Sequence, residues 1–170
     1  MTFLRFTAAL VALVAVSACD SGDAIDAPTP GDVAGVYDFD AFRFTPDASA
    51  LAPVNVLDTL VTGESFVELL DGGQATLRFR RQGGATRFVP GDFEVRRSEL
   101  RITFDGGNDD TLARLVLPGV LTFERDDDDG LSLSQELTAD LEAYDASRYG
   151  GFDDVPGTLT LRLERRAADR

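Results

Sequence analysis

The chain has 170 residues, 16 basic against 30 acidic, a formal charge of -14, one cysteine, and no His or Trp; every basic residue is Arg. Without His, Lys or a second Cys, Ser-His-Asp and Cys-His catalysis, Schiff-base and P-loop chemistry, internal disulfides and multi-cysteine metal sites are excluded. An acidic chain repels phosphate backbones, so no nucleic-acid partner is expected, while a hydrophobic content of 44% suffices for one folded core.

The chain starts with a short positive stretch carrying Arg5, followed by an uncharged apolar run from Ala8 to Val16. That run is too short to span a bilayer and has the length of a signal-peptide core. It ends in Val16-Ser17-Ala18-Cys19. This segment resembles the bacterial lipoprotein signal, in which an aliphatic residue and two small residues precede an obligate cysteine. The resemblance implies cleavage before Cys19, a diacylglycerol thioether on its sulfur and an acylated new amino terminus. Two or more acyl chains give stable anchoring where one does not. The expected location is therefore the bacterial cell envelope, at the outer membrane. Residues 1–18 read as the signal peptide. Residues 19–32, small, polar and Pro-containing, read as a lipid-anchored spacer. A β-domain follows over 33–166, with a tail at 167–170.

Period-two alternation dominates the rest. Ala75, Leu77 and Phe79 alternate with Thr76, Arg78 and Arg80; Leu100, Ile102 and Phe104 alternate with Arg101 and Thr103. Leu159, Leu161 and Leu163 do the same, and the longest run extends from Leu131 through Leu133, Gln135, Leu137 and Ala139 to Leu141 and Ala143. Turn residues such as Asp71-Gly72-Gly73, Gly83-Gly84 and Asp105-Gly106-Gly107 separate the runs. The pattern predicts strands near 33–44, 64–70, 74–82, 86–96, 99–105, 112–125, 131–144 and 157–165. The long 45–63 connection is expected to be a loop or a short helix over a barrel mouth.

A short motif recurs in Gly35-Val36-Tyr37, Pro90-Gly91-Asp92-Phe93, Pro118-Gly119-Val120-Leu121 and Pro156-Gly157-Thr158-Leu159: a glycine, then apolar residues at alternate positions. Together with the Asp-Gly hairpin and the closing Gly-Thr-Leu-Thr-Leu, it resembles the bacterial lipocalin-like lipoproteins, with Tyr37 where lipocalins carry tryptophan. The resemblance implies an all-β fold, an antiparallel up-and-down β-barrel of about eight strands, with a β-sandwich as the alternative. With the anchor and the strands, the expected function is a non-catalytic binding module for a small apolar ligand. The alternative is a structural or protein-interaction lipoprotein with a filled barrel and an envelope protein as partner.

Gln135 and Tyr37 are the candidate ligand contacts. Gln135 is the one polar residue on its otherwise apolar strand face, and an unpaired buried amide costs about 1–3 kcal/mol. The competing reading is an amide bonded to backbone or exposed by a register shift. Tyr37 either offers its hydroxyl to a cavity or closes the barrel floor. The acidic runs Asp126-Asp127-Asp128-Asp129 and Asp105 to Asp110 lack the spaced ligands of a calcium loop and read as solvated hairpin tips. No catalytic residue, cofactor or metal site is expected. The Arg residues between Arg78 and Arg101 and the acids between Asp105 and Asp154 suggest either intramolecular pairing or a basic face for anionic lipid or an acidic partner.

Lipidation has a direct test. Cys19→Ser is expected to move the protein from the membrane pellet to the soluble fraction and to abolish labelling by a fatty-acid probe. Unchanged probe incorporation would contradict it.

Overall fold

A computed structural model describes residues 28–106, 110–126 and 130–167. Cys19, the expected signal peptide, most of the expected spacer, the last tail residues and the two acidic tips at 107–109 and 127–129 lie outside the described residues. The first element, α1 (Pro30–Val33), falls inside the expected spacer. Pro30 pre-sets the first helical position, and the Asp32 carboxylate accepts the Thr29 N–H at 2.7 Å and the Thr29 hydroxyl at 3.0 Å. This single turn buries Val33 in the near end of the domain.

The strands follow as β1 (Gly35–Pro46), β2 (Val54–Asn55), β3 (Phe66–Leu69), β4 (Gln74–Arg80), β5 (Thr86–Arg96) and β6 (Glu99–Phe104). After β6 come α2 (Asp110–Ala113), β7 (Val120–Arg125), β8 (Leu131–Ala139), α3 (Leu141–Tyr144), α4 (Ala146–Tyr149) and β9 (Val155–Arg165). Neighbours pair antiparallel in the order β1-β3-β4-β5-β6-β7-β8-β9, and β9 pairs back onto β1 from Tyr37 opposite Arg165 to Pro46 opposite Gly157. That last ladder closes an eight-stranded up-and-down barrel and excludes the sandwich. The extra strand β2 adds to β1 outside the closed circuit, with Arg43 opposite Asn55 and Phe44 opposite Val54.

Alternation decides which side chains enter. Leu77, Leu100, Ile102, Leu159 and Leu163 are fully buried, whereas Thr76, Arg78 and Arg80 face outward. An eight-stranded barrel has an interior just wide enough for side chains to fill or for one small ligand. Here the rings of Phe42, Phe44, Phe79, Phe93 and Phe123 fill it, each at most 4% exposed. Tyr37 closes the α1 end: its ring is buried and its hydroxyl donates to the Val33 carbonyl at 2.8 Å. The Pro-Gly motif has a steric origin at two of its occurrences. A Cβ on Gly157 would collide with the Thr45 carbonyl and the Phe44 ring, and one on Gly91 with the Thr103 carbonyl.

Two expected strands are corrected. The strand predicted over 112–125 begins only at Val120; Leu112, Leu115 and Val116 repeat at three and four residues, helical spacing, and wind into α2 and the turn after it. The strand predicted over 131–144 stops at Ala139, because the Asp140 carboxylate accepts the Ala143 N–H at 2.7 Å and starts α3. Leu141 is thus buried from a helix rather than from the strand. The 45–63 segment supplies β2 and a 3₁₀ turn at Val56–Thr59.

On β8, Leu133 is 6% exposed and its neighbour Ser134 is exposed. Leu133→Asp buries an unpaired charge and is expected to abolish cooperative thermal unfolding, whereas Ser134→Asp should cost no more than about 0.5 kcal/mol. Equal melting temperatures for the two variants would show the strand phase to be wrong.

Candidate functional site

The barrel wall is tight at the α1 end and parts at the other. β1 pairs β3 only from Gly35 opposite Leu69 to Asp38 opposite Phe66. β7 pairs β8 only at Glu124 opposite Ser132 and Arg125 opposite Leu131. Beyond those points the strands diverge, giving two seams. β2 and the 3₁₀ turn wedge into the first; α2 and residues 114–119 wedge into the second. Apolar side chains of the wedges, among them Val56, Leu60, Leu112 and Leu115, merge with the barrel core. The far end is therefore plugged as well as the near end.

Each seam holds a pocket. The one between β7 and β8, about 340 Å³, is lined by residues 112–113, 116–119 and 137–140. Its walls are Leu112, Val116, Leu117, Pro118 and Leu137, with Thr138 and Asp140 at one side. Over residues 133–139, β8 pairs only with β9 among the described residues. The backbone groups it turns toward β7 are consequently available to a guest, since Pro118 on the facing segment has no N–H to offer. Val116 adopts φ 59° while remaining buried. A β-branched residue there is strained by about 1–3 kcal/mol, and such strain concentrates at binding and switching sites. The pocket in the other seam, about 290 Å³, is lined by Asp38, Phe39, Leu57 and residues 60–63 and 65.

α3 and α4 cross the open end as a lid. The Arg81 guanidinium donates to the Tyr144 carbonyl at 2.8 Å and the Arg114 carbonyl at 3.4 Å, and lies 4.9 Å from the centroid of the Tyr144 ring. It thereby ties the β4–β5 hairpin to both α3 and the α2 segment. Burial raises the Tyr144 hydroxyl pKa above its ordinary value, outweighing the Thr59 hydrogen bond and the Arg81 charge. The Tyr149 hydroxyl is buried without a hydrogen-bond partner among the described residues. Asp145 caps α4: its carboxylate accepts the Ser147 hydroxyl at 2.6 Å and the Ser147 N–H at 3.1 Å. The Ser147 hydroxyl, ahead of the Arg148 and Ser147 N–H groups, holds its pKa below the usual carboxylate value.

The sequence candidates fall in different places. Tyr37 has its hydroxyl engaged by Val33 at the opposite end from the seam pocket. Gln135 sits opposite Leu159 on the inward row of β8 but is half-buried, two residues short of the pocket wall at Leu137. Neither lines either seam pocket. Some of the Arg residues find local partners: Arg80 with Glu64 at 3.1 Å, Arg96 with Glu94 at 2.9 Å and Arg162 with Asp40 at 3.8 Å. No group of three or more acidic, Cys or His residues is placed to hold a metal among the described residues. The signal for the seam was the helical spacing within 112–116 and the Pro118 that follows it; the divergence of β7 from β8 has no local signature.

No family model matches the chain, and no curated protein does. Among solved structures, a lipocalin-like protein from Bacteroides uniformis is similar, at 18% identity and a TM-score of 0.44, covering 81% of this chain and 100% of that one. An uncharacterized protein from Bacteroides eggerthii follows at 14% identity and a TM-score of 0.43, covering 78% and 99%. At these values the barrel assignment rests on the strand pairing itself.

The Asp145 cap gives the lid a pH dependence. A carboxylate whose folded pKa is depressed contributes stability above its unfolded value, near 4, and that stability is lost as pH falls through the folded value. The near-UV circular dichroism of the lid tyrosines should therefore weaken below about pH 4, before the far-UV strand signal changes. Asp145→Ala should show the weakened signal already at pH 7. A tyrosine signal that is lost only together with the strands would contradict a separable lid.

Proposed function

We propose that this chain is a lipid-anchored, non-catalytic binding module of the bacterial outer membrane that takes a small apolar ligand at the β7–β8 seam. The observation that carries the reading is the pocket of about 340 Å³ with apolar walls beside an unpaired stretch of strand edge, in a barrel whose interior is filled. Apolar walls with a few convergent polar groups are the ordinary make-up of a ligand site. The rim limits the ligand further. Asp110, Asp140, Glu142 and Asp153 line the adjoining depression, with Arg114 as its single cation. A carboxylate-bearing guest such as a fatty-acid anion is repelled there, whereas a neutral or cationic head is tolerated and bonds the β8 edge. Cys19 and the spacer supply the anchor in this reading.

The filled interior favours a second reading, an interaction lipoprotein that docks an envelope protein on its outside. Native mass spectrometry of protein extracted from the envelope separates the two. Retained mass is expected on the wild type and its loss in Ala113→Phe, whose ring fills the pocket, with the melting temperature within about 2 °C, the shift expected of a change near 0.5 kcal/mol. A mass unaffected by Ala113→Phe would place the ligand elsewhere; wild-type protein with no added mass would favour the interaction role.

A further inference from the structure

We propose that the outer wall formed by β3, β4 and β5 is a membrane-contact face, with Phe88 entering the headgroup layer and the Arg78 guanidinium meeting a lipid phosphate. The register sets three side chains in one outward row: Phe66 opposite Arg78, and Arg78 opposite Phe88. The Arg78 guanidinium lies 5.3 Å from the Phe66 ring centroid and 5.7 Å from that of Phe88. Its Nε is buried with no hydrogen-bond partner, and it forms no ion pair among the described residues. The arginines around it are neutralised, Arg80 by Glu64 and Arg166 by Asp38. Arg78 is therefore a planar, aromatic-braced cation with its charge uncompensated, on a chain of net charge -14. Phe88, 62% exposed, is the most exposed large apolar residue described.

Two arguments select the bilayer as the occupant; both rest on the Cys19 anchor proposed above. The eight residues from Asp20 to Ala27 link Cys19 to the described chain and span at most about 29 Å. The tether thus holds the barrel close to the lipid surface. The acid-rich 105–154 stretch is repelled by phosphates, whereas the β3–β5 wall offers the uncompensated Arg78 beside the exposed Phe88, its outward acids Glu68, Asp92 and Glu94 lying in other rows. A ring and a guanidinium on an apolar stem suit the interface, where the body is apolar and the tip is wet. Exposed aromatic and Arg side chains also make protein hot spots, so a protein occupant is one outcome of the test.

The chain contains no Trp, so Phe88→Trp introduces a single indole that keeps the ring beside Arg78. Lipidated protein is reconstituted in phosphatidylethanolamine–phosphatidylglycerol vesicles with brominated acyl chains. Flotation reads the anchor and indole quenching reads the wall. The expected result is co-flotation, blue-shifted emission and at least twofold quenching for Phe88→Trp, lost when Arg78→Gln is added. Phe152→Trp, on the lid side, should remain water-like. A floating protein whose indole at position 88 stays water-like and unquenched overturns the proposal while the anchor stands. A blue shift seen only in native envelopes overturns it in favour of a protein occupant. Failure to float removes the anchor, and the tethered contact with it.

Discussion

The ladder that β9 makes on both its sides holds the molecule together. Val155–Arg165 pairs with β8 from Leu131 opposite Leu163 to Ala139 opposite Val155, and with β1 over nearly the same length. Without that double pairing β1 and β8 would be open edges. With it, Leu159, Leu161 and Leu163 line the interior from one strand, each no more than 1% exposed. Each such leucine contributes about 1.5–3 kcal/mol on full burial. The bulge between Phe39 and Ala41 is the one irregularity in the β1–β9 ladder, and it lies where β1 leaves β3.

The remaining architecture follows from that strong leaf. β8, β9 and β1 stay paired to the open end, while β3 and β7 peel away from them. The barrel therefore splits along two lines that flank the β8–β9–β1 leaf, and the chain spends its irregular segments filling the splits. Bulky rings already occupy the axis, so the proposed function puts recognition at the wall and rim rather than in the lumen. A binding site at a seam gains main-chain donors and acceptors that a closed barrel would have consumed in pairing. Its wall also includes Val116 in a strained conformation. Local opening there costs less than opening the β9 leaf.

Much of this was legible in the sequence. Side-chain phase on a strand is a local property, so the alternation through Ala75, Leu77 and Phe79, or through Leu159 to Leu163, identified strands and their inward faces. Asp71-Gly72-Gly73 marked its hairpin because Gly73 adopts φ 86°, where other residues are strained. The alternation misled where it ran past a cap. Leu141 and Ala143 continue the β8 phase, yet Asp140 and Asp145 are N-cap residues that start α3 and α4. Gln135 looked anomalous on an apolar row; half-exposure beside the diverging strand relieves its amide of the desolvation that made it conspicuous. The seam pocket stayed out of sight because it depends on which strands stop pairing, and residues 112 and 138 meet only in three dimensions.

The lumen is filled, and in the proposed function an apolar guest enters at the β7–β8 seam. Methyl-resolved NMR with a small neutral apolar probe tests it most directly. Saturable shifts are expected at Leu112, Val116, Leu117 and Leu137, with the methyls of Leu77, Leu100 and Leu159 unmoved. Shifts concentrated on Leu77, Leu100 and Leu159, with the seam silent, would contradict it and return the site to the barrel axis.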